Sequence, residues 1–458
     1  MPGRNLSRRA ILGAGLGALA ATALAACSSA APAAPTPAPA APAAPAAPAN
    51  APAATATVAP AAAAAAPKVD VKGRTVQYWN DYGGANGKAM DVFLGKFTDA
   101  TGVKVEQVRA GEADLISKMR LSAQAGTSPD VVMLLTYALY SSAHDNLIAP
   151  LDDQELTQRG FNAADYAETP WKGGMYKGKR YALPLDFVQM VLYLNDKLFK
   201  DAGLAGSDGK PKIPTSMEEL VSTATKLTKA GDVYGLHIGP PGQPWWFQNL
   251  LFQNGGNFFN EDMTKSALAN PEAIEVADFW GKVFTSLKIA PPGAFDTLKG
   301  FIGGKLAMSI DGSWSNPGLV DAKMTFTVAR MPKIFKAQKA WGIDHSFTFP
   351  VQKTKDDARV ETAWTLVRWM TDNAENWTIT GGVMAALKKV QASPNVTSVP
   401  FLKVCADQTP SLQFSQPTAR WSEAENKSTP ILEAIYNGTT TAKDGMTKLS
   451  ADVDTITE

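Results

Sequence analysis

Two short segments combine tryptophan with side chains that can donate or accept hydrogen bonds. Trp245 and Trp246 follow Gln243 and a Pro-Pro-Gly turn signature, and the run Trp79-Asn80-Asp81 repeats the combination nearer the N-terminus. A flat aromatic ring can pack against an apolar C–H face, while carboxylate and amide groups pair with hydroxyls. Each buried donor left unpaired would cost ~1–3 kcal/mol. The pattern therefore suits a pocket for a small polyhydroxylated molecule such as a sugar.

Motifs for the common catalytic chemistries are missing from the sequence. The three histidines, His144, His237 and His345, are too widely spaced for the His-Glu-x-x-His zinc motif. There is no Gly-x-Ser-x-Gly elbow and no Walker A sequence, and Cys405 lies outside any catalytic cysteine signature. A glycosidase needs only two carboxylates, which a sequence cannot exclude. We therefore predict a binding protein with no cofactor and no metal, with a secreted glycoside-acting enzyme as the less favoured alternative.

The N-terminus is typical of an export signal, so residues 1–27 are set aside before any reasoning about the fold. Arg4, Arg8 and Arg9 precede an apolar stretch that is shorter than a ~20-residue membrane span. This stretch ends in Leu-Ala-Ala-Cys27, which resembles the lipobox of bacterial lipoproteins and implies lipidation at Cys27. The residues around the arginine pair resemble a twin-arginine signal, and the general export route stays open. We expect an extracytoplasmic protein anchored by lipid to the cell membrane.

Residues 28–67 consist almost entirely of alanine and proline without a charge. Recurrent proline prevents a continuous helix, and this composition favours a semi-rigid tether with ~3.1 Å per residue. The remaining chain is long enough for two lobes. The net charge of +1, and the lack of any basic run, disfavour a nucleic-acid partner. With Cys27 assigned to lipid, Cys405 is the one remaining cysteine, so we expect a free thiol.

Hydrophobic periodicity predicts a βαβαβ unit at the start of the globular part. Strands are expected at Thr75–Trp79, Val103–Val108 and Val131–Leu135, the last as a continuous apolar run buried on both faces. Helices are expected over Gly87–Phe97 and from about Leu115 to a stop at Gly126. Alternating strands and helices favour a doubly wound α/β lobe, which binds ligands at the carboxyl ends of its strands.

Similar patterns continue through the middle of the chain. A strand is expected at Leu183–Leu194, and a capping box over Thr215–Glu218 opens a helix that ends near Gly231. Asn270 and Pro271 open another helix. Three tryptophans fall on apolar helix faces and are expected in the core: Trp280, Trp364 and Trp369.

The order of several segments makes the resemblance to a family specific. Gly178 to Pro184 reads Gly-Lys-Arg-Tyr-Ala-Leu-Pro and is followed by Leu-Tyr-Leu-Asn at 192–195. Further on, Phe301–Met308 precedes Asp311-Gly-Ser-Trp314. In this order the segments resemble extracellular solute-binding proteins of the maltose-binding type, over nearly all of residues 70–440.

This resemblance implies the periplasmic-binding-protein fold, with two doubly wound α/β lobes joined by crossing hinge segments. It places the crossings near Asp186–Val188, Ser309–Asp311 and Ser346–Phe347. The N-terminal lobe would comprise 68–186 with 311–346, and the C-terminal lobe 187–310 with 347–458. Binding of a mono- or oligosaccharide between the lobes would close them, and the closed protein would deliver its ligand to the permease subunits of an ABC-type importer. A non-sugar solute, such as a peptide or polyol, stays open, as does a sensor in place of the importer.

Site candidates come from the residue patterns and from this resemblance together. The resemblance implies stacking roles for Trp245 or Trp246 and for Trp314, and cleft-facing positions for Trp341 and Trp421. Where relatives place an acidic sugar ligand after the third strand, this chain has Tyr137. The full set of candidate ligand-binding residues is Trp245, Trp246, Trp314, Asp311, Trp341, Asn80, Asp81, Trp421, Gln243, Glu112, Trp79, Tyr137 and Asp186. We expect a monomer.

Overall fold

A computed structural model describes residues 69–457 of the chain. These described residues form one compact unit. The predictions of a signal segment, of lipidation at Cys27 and of a tether over 28–67 fall outside the described residues. Within residues 69–457, no helix combines the length and the apolar character that crossing a membrane requires.

The strands form one large mixed sheet and one small hairpin, in which β4 pairs with β5. Their bounds are β1 Thr75–Asn80, β2 Lys104–Arg109, β3 Val131–Leu135, β4 Met175–Tyr176, β5 Lys179–Arg180, β6 Leu183–Asn195, β7 His237–Ile238, β8 Met308–Gly312, β9 Phe326–Ala329, β10 Ala340–Thr348, β11 Met384–Ala385 and β12 Leu412–Gln413. The large sheet has the order β2-β1-β3-β10-β6-β8-β7, with β9 and β11 on β6 and β12 on β10.

Helices connect these strands and cover the sheet. Their bounds are α1 Gly84–Thr101, α2 Glu112–Ala125, α3 Thr136–His144, α4 Asp153–Gln158, α5 Glu168–Gly173, α6 Asp196–Asp201, α7 Met217–Leu227, α8 Pro244–Gln253, α9 Pro271–Phe284, α10 Thr297–Ile302, α11 Asn316–Asp321, α12 Asp357–Asp372, α13 Ala374–Gly381, α14 Lys388–Gln391, α15 Pro394–Thr397, α16 Pro400–Gln408, α17 Trp421–Tyr436 and α18 Ala442–Asp454.

The predicted βαβαβ unit is confirmed. Strand β1 pairs in parallel with both β2 and β3, and all five residues of β3 are buried, as the apolar run indicated. Helix α1 begins three residues earlier than predicted, at Gly84, and α2 ends at Ala125, with Gly126 as its C-cap in the left-handed conformation. These elements form the first half of the sheet.

Strand β6 connects the first half of the sheet to the second. All 13 of its residues are buried, and at ~3.3 Å per residue it is about 40 Å long. Residues 183–189 pair with β10, whereas residues 190–194 pair with β8 and residues 192–195 with β9. The chain therefore crosses from the first to the second half within one continuous strand, close to the crossing expected at Asp186–Val188.

The packing of the later segments differs from the expected division into lobes. Strand β9 lies in the 311–346 segment expected in the N-terminal lobe, yet it pairs with β6 beside β8. Helices α12 and α13 lie in the 347–458 segment expected in the C-terminal lobe, yet they pack against β1 and α1. The reason is that β8 pairs with β6 and β7 and is not a crossing, so the chain returns to the first half only through β10, which pairs with β3.

Two local predictions also need correction. Trp245 and Trp246 do not lie in a loop, because Pro244 opens α8 with Gln243 as its N-cap residue. Helix α7 is capped by the Ser216 side chain, which accepts from the Glu219 backbone N–H, and it ends at Leu227, before the predicted stop at Gly231. The predicted helix start at Pro271 is confirmed, with Asn270 as its cap.

Candidate functional site

The two halves of the sheet enclose a cavity of ≈ 370 Å³. Residues 81–86, from the end of β1 and the start of α1, form one wall, and Trp245 and Trp314 contribute to the opposite wall. The other lining residues are Leu135, Val188, Leu298, Gly318, Ile343 and His345. The cavity thus lies at the carboxyl end of β1, where a doubly wound sheet is expected to bind its ligand.

Four aromatic residues form a cluster beside this cavity. The Trp245 ring stacks on Trp341 with centroids 5.0 Å apart and an interplanar angle of 17°. Trp314 stands edge-on to Trp245, with centroids 6.0 Å apart and an angle of 73°. The Tyr137 ring approaches Trp245 from the first half of the sheet, at 6.0 Å. Trp245 and Trp314 are half-buried, so both keep some surface for a ligand.

Neighbouring backbone fixes the positions of these rings. The buried Trp246 indole N–H donates to the carbonyl of Ile310 in β8, at 2.8 Å, and thereby ties the start of α8 to the sheet. Trp314 folds over Gly312, where a Cβ atom would lie 2.2 Å from the ring. Gly239 has a positive φ of 66°, and a Cβ there would lie 2.3 Å from the Trp246 ring. Glycine is required at both positions for the tryptophans to pack as they do.

Three carboxyl groups surround the aromatic cluster. Glu112 accepts a hydrogen bond from the Tyr137 hydroxyl, and Glu425 accepts one from the Trp245 indole N–H. Asp81 lines the cavity itself. Oε1 of Glu112 and Oδ1 of Asp81 are buried, and no described residue donates to either atom.

Burial raises the pKa of all three carboxyl groups. The pKa of Glu425 rises to about 7, although the indoles of Trp245 and Trp421 oppose the rise. Burial also raises the pKa of Glu112, which the Tyr137 hydrogen bond opposes and the charges of Asp81 and Glu425 reinforce. For Asp81, burial raises the pKa and the charge of His345 lowers it. Hydrogen-bond acceptors are thus available in the cleft at a low cost of desolvation, because these groups are already removed from water.

Asp186 accepts three hydrogen bonds from within the protein. Its Oδ2 accepts from the Tyr82 hydroxyl at 2.7 Å and from the Trp377 indole at 2.6 Å, and its Oδ1 lies 2.6 Å from Nδ1 of His345. The side chain is fully buried in β6. Burial alone would lower the pKa of His345, but the charge and hydrogen bond of Asp186 raise it to about 9. This arrangement gives Asp186 a role in holding β6, β10 and α13 together, beneath the cavity wall.

The other predicted site residues fall in several environments. Asp311 is buried, with Oδ1 accepting from the Gly312 backbone at 2.7 Å and Oδ2 accepting from Ser315 at 2.9 Å, and burial raises its pKa to about 6. Trp421 is fully buried against Phe258, with centroids 4.7 Å apart. Asn80 is fully buried, Trp79 is half-buried and Gln243 is exposed. Of the predicted residues, Asp81, Trp245 and Trp314 line the cavity. Glu112, Tyr137 and Trp341 lie beside it in or against the aromatic cluster, and the other predicted residues lie outside the lining.

Sequence reasoning missed Glu425, Tyr82 and His345. Glu425 lies on α17 next to polar residues, and its spacing gave no indication that it meets Trp245, 180 positions earlier. Tyr82 follows Asp81 directly, so the proximity of this ring to the first strand end was a usable signal. The sequence relates His345 only to a metal site, which its wide spacing from the other two histidines disfavours. Among residues 69–457 no group of three or more His, Cys, Asp or Glu side chains could hold a metal ion.

Comparisons with known proteins agree with this geometry. A family model described as bacterial extracellular solute-binding protein matches residues 93–403. The maltotriose-binding protein of Pyrococcus abyssi is 24% identical over 307 residues, which cover 65% of this chain and 63% of that protein, slightly less than two thirds of its length.

Solved structures share the fold. An ABC substrate-binding protein from Listeria monocytogenes, in complex with cycloalternan, superposes with a TM-score of 0.72 at 19% identity, covering 83% of this chain and 98% of that one. An ABC transporter solute-binding protein from Thermotoga lettingae, bound to α-D-tagatose, gives a TM-score of 0.73 at 20% identity, covering 83% and 99%. The predicted periplasmic-binding-protein fold is therefore confirmed, and with more than half of its length matched, the chain belongs to the bacterial extracellular solute-binding proteins.

Proposed function

We propose that this protein is the substrate-binding component of an ABC-type importer and that it captures a mono- or short oligosaccharide in the cavity between the two halves of the sheet. The observation that carries the proposal is the composition of the cavity walls. Trp245 and Trp314 stand on one side, and Asp81 with the start of α1 stands on the other.

The dimensions and chemistry of the cavity suit a sugar. Small-molecule pockets usually measure ~300–1,000 Å³, and ≈ 370 Å³ lies near the lower end of that range. The half-buried rings of Trp245 and Trp314 offer apolar faces for C–H groups. Unpartnered acceptor atoms on Asp81 and Glu112 suit hydroxyl donors. The sugars in the names of the Pyrococcus, Listeria and Thermotoga proteins support the same class of ligand.

Closure around the ligand would use the strands that both halves share. Strand β6 pairs with β10 over its first part and with β8 over its second, so small changes near residues 189–190 would rotate one half against the other. A ligand that contacts Asp81 in the first half and Trp245 in the second binds the closed form better than the open one. Only such a difference in affinity can drive closure.

We propose that the bound sugar is not altered. Two carboxyl groups beside the aromatic cluster, Glu112 and Glu425, are the observation that keeps a glycoside-acting enzyme as the second candidate. Each of them already accepts a hydrogen bond from an aromatic side chain of its own half. Chromatography of a sugar after prolonged incubation with the protein distinguishes the two functions, because cleaved product would establish the enzyme.

We propose further that Cys27 carries the lipid anchor and that the protein works outside the cytoplasm, tethered to the membrane by residues 28–67. The support is the Leu-Ala-Ala-Cys27 sequence at the end of the signal segment. Metabolic labelling with a fatty acid should mark the wild type and miss Cys27→Ala. Equal labelling of both would contradict the anchor.

A thermal-shift screen tests the ligand class directly. Mono- and oligosaccharides are compared with amino acids, peptides and polyols. A ligand at 100 times its Kd adds ~2.7 kcal/mol to the apparent free energy of unfolding. With an unfolding entropy of ~2.1 cal/mol/K per residue, this corresponds to a shift of about 3 °C if the described residues unfold together. A peptide as the only hit would refute the saccharide.

Paired tryptophan variants test the position of the site. Trp245→Ala should weaken binding of the best hit by roughly 1–3 kcal/mol, since it removes a ring at the cavity wall. Trp280→Ala is the matched control, because Trp280 is fully buried and its indole donates to the Ile238 carbonyl at 3.0 Å. The control should cost ~3–5 kcal/mol of stability instead. Loss of stability in both, with unchanged affinity in the Trp245 variant, would show that the site lies elsewhere.

A further inference from the structure

The charged groups around the cleft are unbalanced. Asp81, Glu112 and Glu425 surround Trp245, and Asp186 lies behind the cavity wall. Helix α8 has no charged residue. Among the described residues that line the cavity, the one basic side chain is His345, and its Nδ1 is already bonded to Asp186. Carboxyl groups therefore outnumber basic groups around this cleft.

The carboxyl groups come from both halves of the sheet. Glu112 opens α2 in the first half and is held by Tyr137, while Glu425 lies on α17 and is held by Trp245. The rings of Tyr137 and Trp245 are 6.0 Å apart, and the charge of Glu425 raises the pKa of Glu112, so the two carboxyl groups interact across the cleft. Ionising both of them in the closed cleft would place like charges near each other, which is unfavourable unless a positive charge enters between them.

Aromatic rings reinforce the same preference. Trp245 and Trp314 stand nearly at right angles, and Tyr137 adds a third ring. A cation held within ~6 Å of a tryptophan face is attracted by the ring, and tryptophan is the most effective ring for this contact. Oε1 of Glu112 and Oδ1 of Asp81 are buried without a donor from any described residue, so each can accept a hydrogen bond from a ligand.

From these observations we infer that the solute is a saccharide with a free amino group, whose ammonium lies beside Trp245 between the carboxylates of Glu112 and Glu425. This inference deepens the proposed function and depends on it. The ammonium would contact both halves and stabilise the ionised carboxyl groups, so the cation itself favours the closed form. Burial is the main cause of the raised pKa values of Glu112 and Glu425, and a cation between the two groups would lower both values. A neutral sugar would leave both carboxyl groups without this compensation.

Three matched disaccharides test the inference on the full-length chain in mild detergent. The glucosamine disaccharide, its N-acetylated form and the corresponding neutral glucose disaccharide differ only at the substituent next to the anomeric carbon. Calorimetry at pH 7.5, where Glu425 with a pKa of about 7 is mostly ionised, should give the amino form a Kd at least tenfold lower than the other two. Raising the salt concentration tenfold should weaken the amino form alone, because charge pairs are screened.

A conservative variant tests the residue assignment. Glu425→Gln keeps the acceptor for the Trp245 indole and removes the charge, so the preference for the amino form should fall at least fivefold. Glu423→Gln is the control on the same helix, because Glu423 is exposed and pairs with Lys427 at 3.5 Å. It should leave the preference unchanged.

Each alternative outcome decides a different question. If the neutral or acetylated sugar binds as tightly as the amino form, the cationic ligand is refuted and the proposed function stands. If Glu425→Gln keeps the full preference, the assignment to Glu425 is refuted. If a non-saccharide amine binds tightest in the screen, the charge inference holds and the saccharide fails. If no saccharide binds, the proposed function fails and the inference fails with it.

Discussion

Replacing Asp186 with asparagine should destabilise the protein in a way that depends on pH. Asp186 is fully buried in β6 and accepts hydrogen bonds from Tyr82, Trp377 and His345 at 2.6–2.7 Å. The substitution keeps the shape of the side chain and removes its charge. His345 then loses the partner that raises its pKa to about 9.

The magnitude follows from what asparagine can still satisfy. Its amide oxygen can accept from Tyr82 and Trp377, and its amide N–H can donate to Nδ1 of a neutral His345. All three hydrogen bonds therefore survive, and the loss is that of the charge pair alone. Breaking a buried ion pair costs ~3–5 kcal/mol, and we expect about 3 kcal/mol at pH 6.5. For the ~390 described residues this lowers the Tm by about 4 °C, at ~2.1 cal/mol/K per residue.

The sign of the pH dependence is fixed by His345. Its folded pKa is raised, so the stabilisation is fully present below the unfolded value of ~6.5 and is lost as pH rises through about 9. The difference in free energy of unfolding between wild type and Asp186→Asn should therefore shrink from about 3 kcal/mol at pH 6.5 to below about 1 kcal/mol at pH 10. Urea unfolding at five pH values measures it, with fluorescence and circular dichroism compared to check that the transition is two-state.

Asp311→Asn is the matched control for this experiment. Asp311 is also buried, but its partners are the Gly312 N–H and the Ser315 hydroxyl, and no cation lowers its pKa, which burial raises to about 6. Because burial raises this pKa, the ionised form of Asp311 costs stability above pH ~6, and asparagine removes that cost while keeping both hydrogen bonds. Asp311→Asn should therefore not be destabilised, and its difference from wild type should stay nearly constant from pH 6.5 to 10. A penalty for Asp186→Asn that stays constant from pH 6.5 to 10 would refute a charge pair with His345.

Further predictions concern two buried groups. His237 is fully buried with Nδ1 2.9 Å from the Thr297 hydroxyl, and burial lowers its pKa to about 3, so its contribution to stability is present above pH ~6.5 and is lost as pH falls towards 3. Relative to wild type, His237→Gln should gain about 2 kcal/mol of stability between pH 6.5 and pH 5 in urea titrations, and parallel curves would contradict this. Cys405 is a buried free thiol whose pKa burial raises to about 12. Thiol titration of the Cys27→Ala chain should find almost no reactive group in the native protein and one after denaturation, and rapid native labelling would show that the α16 region opens.

The parts of the fold that the sequence predicted are those with a local signal. The Val131–Leu135 run is apolar at every position because β3 is buried on both faces, and the strand has the predicted bounds. Asn270 and Pro271 open α9 because the Asn side chain accepts from the Ala273 N–H and Pro fits the first turn. Hydrogen bonds and packing within a few residues determine both features.

The division of the chain between the two halves depends on pairings that no local signal specifies. The apolar residues of β8 and β9 would suit either half of the sheet, and their place is set by the partner strand β6. Helix α13 joins the first half through contacts such as the Asn86 amide with the Gly381 carbonyl at 3.0 Å and the stacking of Phe93 on Trp377 at 5.6 Å. These contacts connect positions almost 300 residues apart, so the local spacing of residue types does not predict them.

The same limit applies to the candidate site, because local sequence patterns predict only some of its residues. Trp245 could be selected from the sequence because tryptophan after a turn signature is unusual, whereas glutamate in a polar helix such as α17 is ordinary. Burial raises the pKa of Glu425 to about 7, and its carboxyl group accepts from the Trp245 indole, whose ring lies 6.0 Å from that of Tyr137. The preference that we infer for an amino sugar thus depends on a residue whose burial and partner only the fold determines. The proposed charge requirement therefore follows from the three-dimensional structure, whereas the aromatic content of the cleft follows from the sequence.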